Sequence, residues 1–355
     1  QQGCPIFAEL AFLIFPPNEM ISMKLSQHRI LTTHVGSLPR SEEVFKLVFA
    51  KEAGEKIDLN HYEQVIADAV QTVVRKQTDV GVDVVSDGEQ SKISYATYIK
   101  HRLNGFDGDS PRRTPKDLEE YPAFSKRASS SGGVPTYSRP QCVGPISVKD
   151  LKPLEVDLQN FKDALSVSEA TDAFMNAASP GVIAQFQPNQ HYPDHSSYLY
   201  ALADAMKVEY EGIAEAGLVI QIDSPDLALG RHVLFKDQSD EEFVAMAELH
   251  IEALNHALQN IPAEQLRLHV CWGNYQGPHH CDIEMKKILP AVLKAKPMAL
   301  SFEGANPRHS HEWSVFRDAK IPENKVLIPG VLDSTTCLLY TSDAADEEDS
   351  VDLGG

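Results

Sequence analysis

The 355-residue sequence lacks the features of several protein classes. It has no apolar run of the ~20 residues that cross a bilayer, because its mostly apolar stretch Pro5–Pro17 is too short. No Gly-x-Gly-x-x-Gly follows a predicted strand, which disfavours a dinucleotide site. Basic residues number 32 against 51 acidic ones, and the net charge of −19 disfavours nucleic acid or an anionic membrane as a partner.

Cysteine is also scarce and does not indicate a disulfide framework. Two of the five cysteines, Cys4 and Cys337, lie near the ends, which leaves Cys142, Cys271 and Cys281 in the body of the chain. The apolar stretch near Gln1 has no basic residues before it, so a secretory signal is disfavoured. We therefore expect a cytoplasmic protein with free thiols available for metal binding or catalysis.

Both ends differ in composition from the rest. Residues 337–355 carry a charge of −6 and residues 1–22 carry −2, which leaves −11 for residues 23–336. Met23 is interpreted as the natural start, so that 1–22 form a non-native leader. The run CLLYTSDAADE resembles a translated sequencing adapter, so 337–355 are interpreted as an artefactual tail; the alternative is a native acidic tail.

Short β-rich runs alternate with segments of helical period, a pattern that favours a parallel sheet with crossover helices. Seven such units predict an α/β fold of the TIM (β/α)8 type whose last strand and helix are missing through truncation. A polar region at about 104–140 is too long for a βα loop and predicts an inserted arm or lid. The predicted strands are Ile30–Val35, Val82–Ser86, Val182–Gln187, Leu218–Asp223, Leu266–Cys271, Ala299–Glu303 and Val326–Asp333, with a further extended run at Gln141–Val148. The predicted helices include Leu59–Val80, Ser196–Ala216, Asp240–Asn260 and Asp282–Ala295.

Reactive side chains cluster where predicted strands end, which is where barrel enzymes assemble their sites. His269 and Cys271 are two residues apart on a predicted strand and therefore point to the same face. Imidazole and thiolate suit Zn²⁺, and Glu303 at the end of the next strand could supply a third ligand. Taken alone, a His-x-Cys pair in a strand is more often incidental.

These residues belong to an ordered set that resembles a known family. The motifs THVGSLP (33–39), DGE (87–89), QIDSP (221–225) and HVC (269–271), followed by Glu303, resemble the catalytic half of cobalamin-independent methionine synthase. The set is also similar to single-barrel relatives that include epoxyalkane:coenzyme M transferases. The resemblance covers about 30–336 and implies a TIM barrel with zinc bound by His269, Cys271 and Glu303. The family's fourth ligand, a cysteine in an Asp-Cys-Gly strand, has no counterpart in this sequence.

The resemblance also implies substrate contacts. The loop that holds the family's thiol substrate corresponds to Val35, Gly36 and Ser37. The carboxylates that bind its ammonium group correspond to Glu89 and Asp223, and the contacts to folate correspond to Gln141, Cys142 and Tyr192. Tyr192 could equally be a surface or packing residue. Two positions depart from the family, namely Leu229 in place of a second acid and Thr335 in place of a proton-donating histidine.

The sequence therefore predicts zinc-dependent methyl transfer from a methyl-folate donor to a homocysteine-like thiol, forming methionine. One alternative is alkyl transfer from an epoxide or other donor to a thiol cofactor, and another is a non-catalytic ligand-binding barrel. The group His279, His280 and Cys281 offers competing metal ligands, although polar residues before a helix are more often caps or solvated. Arg308 is the favoured contact for an anionic substrate. No pattern indicates the oligomeric state.

Overall fold

The computed structural model describes residues 22–131, 137–275, 277–333 and 338–339. Apart from Ser22 and residues 338–339, the interpreted leader and tail lie outside this part of the chain, as does Thr335. The elements in chain order are α1 (Glu42–Glu52), α2 (Leu59–Asp79), β1 (Val84–Val85), β2 (Leu103–Asp107), α3 (Lys116–Glu119), α4 (Pro122–Ser131), β3 (Gln141–Val148), α5 (Lys152–Ser166), β4 (Asp172–Ala178), α6 (Pro180–Phe186), α7 (His195–Glu215), β5 (Val219–Asp223), α8 (Gly230–Val233), α9 (Asp240–Ala257), β6 (Leu266–Val270), α10 (Met285–Val292), β7 (Ala299–Phe302), α11 (Trp313–Asp318), β8 (Val326–Pro329), β9 (Leu332–Asp333) and β10 (Leu338–Leu339).

The main sheet is parallel and curled, which confirms the predicted α/β barrel type. Six strands pair in the order β1-β4-β5-β6-β7-β8. Ahead of them, Thr33 forms a parallel bridge with Val84, so the predicted strand at 30–35 contributes a single bridging residue. Arg267 on β6 nevertheless donates to the carbonyl of His34 at 2.6 Å, which brings the first segment across the interior to the middle of the sheet.

One predicted strand is wrong. Residues 182–187 belong to helix α6 and its end, because Ser179 caps the helix through its hydroxyl and Pro180 occupies its first turn. The strand lies just before it, at β4, whose side chains are buried on both faces and therefore show no alternation. The predicted strand at 326–333 is divided into β8 and β9, and β9 pairs antiparallel with β10.

The longer helices begin at capping residues that the sequence supplies. Asp58 accepts from two backbone N–H groups at the start of α2, and Asp194 accepts from Ser197 N–H at the start of α7. Helix α9 begins with a reciprocal capping box between Ser239 and Glu242. No helix within the described ranges is both long enough and apolar enough to cross a membrane.

The inserted region forms an arm, defined here as residues 103–148 within the described ranges. Its strands β2 and β3 pair antiparallel across the insertion, and helices α3 and α4 lie between them. At its base, buried Arg102 contacts Asp157 of α5 at 2.5 Å and Glu209 of α7 at 2.9 Å. The arm is therefore fixed to two barrel helices by a buried ion network.

Candidate functional site

The barrel interior is apolar at its lower end and polar above. Met23, Phe174, Val219 and Ala299 pack together at the amino ends of the strands. Above them, every second residue along β6 points to the same inner face. These residues are Arg267 and His269, and Cys271 continues the series directly after the strand. The two-residue repeat of the strand therefore places these polar side chains in the upper interior.

Asp223 organises the upper part of this interior. It is paired in register with His269 on the neighbouring strand, and its Oδ1 lies 3.1 Å from His269 Nδ1. Side-chain amides of Asn176 and Gln221 also donate to its carboxylate, both at 2.8 Å. Among the described residues nothing hydrogen-bonds His269 Nε2, so this nitrogen remains available to a ligand, as is usual for an imidazole oriented by a carboxylate.

Cys271 and Glu303 lie beside one another above β6 and β7. Glu303 Oε1 accepts from the N–H of Trp272, the residue after Cys271, at 3.0 Å. Its other oxygen accepts from Asn306 Nδ2 and lies 3.6 Å from the Arg308 guanidinium. Burial, followed by the charge of Glu303, raises the pKa of the Cys271 thiol well above its usual range.

The three predicted zinc ligands share the barrel mouth without forming a closed ligand set. Among the described residues, two groups of three potential ligands have atoms within 4.8 Å of one another, and neither group contains His269, Cys271 or Glu303. Their side chains would have to move for one ion to contact all three. The ligand set therefore stays a prediction.

The loop at Val35, Gly36 and Ser37 is held from below by the polar interior. The carbonyl of Val35 accepts from Asn176 Nδ2 at 3.0 Å and from Gln221 Nε2 at 2.7 Å. Gly36 adopts φ +125°, and a Cβ there would lie 2.4 Å from the Asn176 side chain. Ser37 and Val35 are exposed beside them, so this loop has side chains that a ligand could reach.

Glu89 is buried in a strained turn. It has φ +54°, in the left-handed region, and its N–H donates to Asp87 Oδ1 at 3.0 Å. The Arg40 guanidinium donates to the carbonyls of Glu89 and Lys92, both at 2.6 Å, and holds the turn. Burial raises the pKa of the Glu89 carboxyl to about 7, and the nearby charge of Asp223 acts in the same direction. Such strain and a raised pKa are common at functional sites.

The residues that resemble folate contacts lie on or against the arm. Gln141 and Cys142 begin β3, and the Cys142 side chain is fully buried. The Tyr192 hydroxyl accepts from Ile146 N–H at 2.8 Å, and its ring stacks on Tyr198 at 5.7 Å. Tyr192 therefore has a packing role that joins the arm to α7, and its contact with a substrate stays a prediction.

Three residues of this region were missed in the sequence. Asn176 lies on the unpredicted strand β4, and Arg267 precedes His269 by two residues, a spacing that could have revealed it. Arg267 is buried, bonds Gln221 Oε1 at 2.7 Å, and lies 3.6 Å from the Phe174 ring centroid. Tyr95 lies close enough to Cys271 and Asp223 for their charges, after burial, to raise the pKa of its hydroxyl. No spacing in the sequence connects Tyr95 with strands so far along the chain.

Sequence comparison gives consistent matches. Residues 30–111 match the family described as the catalytic domain of cobalamin-independent synthase. The methionine synthase of Saccharolobus solfataricus is 28% identical over 274 residues, which cover 76% of this chain and 72% of that protein. The methionine synthase of Sulfurisphaera tokodaii is 29% identical over 245 residues, covering 69% and 62% respectively.

Solved structures agree on the fold. A B12-independent methionine synthase from Shewanella sp. W3-18-1, in complex with selenomethionine, superposes with a TM-score of 0.58 at 20% identity, over 81% of this chain and 76% of that one. A putative vitamin-B12 independent methionine synthase from Listeria monocytogenes superposes with a TM-score of 0.60 at 18% identity, over 92% of this chain and 88% of that one. At these identities the superpositions establish the shared barrel fold.

Proposed function

Because residues 30–111 match the catalytic-domain family of cobalamin-independent synthase and the chain is similar to methionine synthases, we propose that it transfers a methyl group to a thiol substrate of the homocysteine type. The observation that carries the proposal is the convergence of His269, Cys271 and Glu303 with Asp223 in the mouth of one barrel. This is the end of the fold at which barrel enzymes place their reacting groups.

The acceptor is proposed to bind through its ammonium group. Glu89 and Asp223 are both buried, and the charge of Asp223 helps to raise the pKa of Glu89 because the two carboxylates repel one another. An ammonium group between them would offset that repulsion and gain charge-assisted hydrogen bonds. The loop at Val35, Gly36 and Ser37 then lies beside the remainder of the substrate, so the thiol is directed toward Cys271 and His269.

The donor set at the mouth fits zinc on chemical grounds. His269 has Nε2 available while Asp223 orients its ring, and Cys271 is surrounded by the carboxylates of Glu303, Asp223 and Asp226, which a cation would offset. His269, Cys271 and Glu303 would hold the ion. When bound there, zinc lowers the pKa of a substrate thiol, so that the thiolate is the nucleophile at neutral pH.

The methyl donor is proposed to be a methyl-folate, held between the barrel mouth and the arm at Gln141 and Cys142. In the reaction the new S–C bond forms as the N–CH₃ bond of the donor breaks. The electron pair returns to the donor nitrogen, which then takes up a proton. The chain contributes proximity and charge placement to this step.

The proposal is tested by assaying thiol methylation at pH 7 with 5-methyltetrahydrofolate and homocysteine, for the wild-type chain, Cys271→Ser and Cys281→Ser. A free thiol with a pKa of ~8.5 is only about 3% ionised at pH 7, so loss of thiol activation predicts a fall of at least about 30-fold in Cys271→Ser. Cys281→Ser is a matched control that should retain activity. Unchanged methylation in Cys271→Ser would refute the proposal, and product from an epoxide donor alone would favour alkyl transfer to a thiol cofactor.

A further inference from the structure

A second group of potential metal ligands lies away from the proposed catalytic residues, where the arm meets the barrel. We call Asp117, His232 and Asp282 the arm cluster. Asp117 is on α3 of the arm, His232 is on α8, and Asp282 is in the loop before α10. One ligand atom from each lies within 4.8 Å of the other two. Asp117 and His232 are fully buried, and the Asp282 side chain is 5% exposed.

His232 points an unsatisfied nitrogen into this cluster. Its Nδ1 is buried and makes no hydrogen bond, although it lies 3.4 Å from Asp282 Oδ1. Its other nitrogen, Nε2, lies 3.2 Å from the Tyr275 hydroxyl. The Tyr275 hydroxyl donates its one proton to Asp117, so it accepts from Nε2–H of His232, and in the neutral ring Nδ1 then carries no proton. A neutral imidazole is the form that binds metals.

The cluster also has more negative than positive charge. Within the described ranges no Lys or Arg side chain pairs with Asp117, whose two oxygens accept from the Tyr275 hydroxyl at 2.9–3.0 Å. Asp282 is contacted by His279 at 3.0 Å and by His309 at 2.9 Å. Of these, His309 also contacts Glu312 at 2.8 Å, so it is shared between two carboxylates. Buried carboxylates are ordinarily paired with cations or bind metals.

We propose that Asp117, His232 and Asp282 bind one divalent transition-metal ion of the zinc type, which fastens the arm to the barrel mouth. The combination of imidazole and carboxylate ligands suits zinc, whereas Mg²⁺ and Ca²⁺ prefer oxygen ligands alone. Tetrahedral zinc at ~2.1 Å from each ligand requires ligand atoms about 3.4 Å apart, so side-chain shifts of about 1 Å are sufficient. Its ligands come from the arm and from two barrel segments, so a bound ion would join these parts of the chain.

A neighbouring exposed group provides the control. Glu120, His280 and Cys281 also have ligand atoms within 4.8 Å of one another. Here His280 and Glu120 pair at 2.8 Å, and their side chains are 43% and 52% exposed, so water already satisfies much of their charge. Glu120 follows Asp117 by three residues in the chain and carries the same type of carboxylate, which makes it a nearby control position for substitution.

The test uses full-length Cys271→Ser protein, so that the proposed catalytic ligand set is already disrupted. Zinc is titrated into metal-free protein, bound metal is measured by elemental analysis, and its coordination is read by X-ray absorption. The expected result is about one zinc per chain with nitrogen and oxygen ligands, together with zinc-dependent protection of the arm from proteolysis. Adding Asp117→Asn should weaken zinc binding at least about 10-fold, and adding Glu120→Gln should leave it unchanged.

Three outcomes would overturn the arm-cluster site. These are no zinc bound by the Cys271→Ser protein, a sulfur ligand in its absorption spectrum, or zinc binding that is insensitive to Asp117→Asn. The first two are measured before any arm substitution is made, so a variant that fails to fold does not prevent a decision. Methyl transfer by the wild-type chain is measured separately, so failure of this site is distinguished from failure of the proposed function.

Discussion

Replacing Gly36 by alanine should disrupt the centre of the site, and Gly54→Ala provides the matched comparison. Both glycines have positive φ, at +125° and +72°. A Cβ at Gly36 would lie 2.4 Å from the Asn176 amide, whereas a Cβ at Gly54 has no neighbour within 4 Å. The two substitutions therefore differ mainly in the collision with Asn176.

The expected loss follows from the bonds of that amide. Backbone strain at Gly36→Ala is of order 1–3 kcal/mol. Displacing Asn176 weakens one hydrogen bond to a carboxylate, worth about 1.5–3 kcal/mol, and one to the Val35 carbonyl, worth about 0.5–1.5 kcal/mol. Gly36→Ala should therefore cost about 3 kcal/mol or more of unfolding free energy. Gly54→Ala should cost about 1–2 kcal/mol, because only left-handed strain remains.

Urea unfolding of the two variants and the wild type measures this difference. The double variant Gly36→Ala with Asn176→Ala should lose less unfolding free energy than the two single variants lose together. The reason is that the truncated side chain at position 176 leaves room for the new methyl group. Equal midpoints for Gly36→Ala and Gly54→Ala, or strict additivity in the double variant, would refute the reasoning.

Two further predictions concern buried charges. Arg102→Met should lower the free energy of unfolding by about 3–5 kcal/mol, because Asp157 and Glu209 lose their buried cation. Arg317→Met removes an exposed ion pair and should leave the stability in urea unchanged. Equal effects of the two substitutions would contradict the buried network. Because the pKa of Glu89 is raised to about 7, the folded state holds this proton up to about pH 7. Glu89 therefore contributes its full stabilisation below the pKa of the unfolded chain, near 4.5, and progressively less as the pH rises to 7. The stability difference between wild type and Glu89→Gln should therefore fall over that interval in urea titrations, and a difference constant with pH would contradict the buried, protonated carboxyl.

The sequence predicted those parts of the molecule that depend on local period. The spacing of His269 and Cys271 places both on the inner face, and the ends of successive strands bring Asp223 beside His269 as expected for a parallel sheet. The barrel class followed from alternation of the elements. These features are encoded within short windows and a simple topology.

Other parts depend on contacts between distant segments. Strand β4 was missed because burial on both faces removes the alternating pattern, and Asn176 was missed with it. The pairing of Leu103–Asp107 with Gln141–Val148 was not predicted, since the register of a long hairpin is set by its tertiary packing. The proximity of Tyr95 to Cys271 likewise requires the folded barrel.

The contacts of Arg267 have a consequence for synthesis of the chain. The first segment, around Thr33 and His34, has one backbone bridge and side-chain contacts to Asp83 and Gln77. It also binds a guanidinium that lies 233 positions after His34 in the sequence. At about 5–20 residues per second, a ribosome needs roughly 12–47 s to add those residues. During that interval the N-terminal segment lacks its contact with Arg267. The mouth of the barrel is therefore completed late in translation, and chaperones have time to bind this segment.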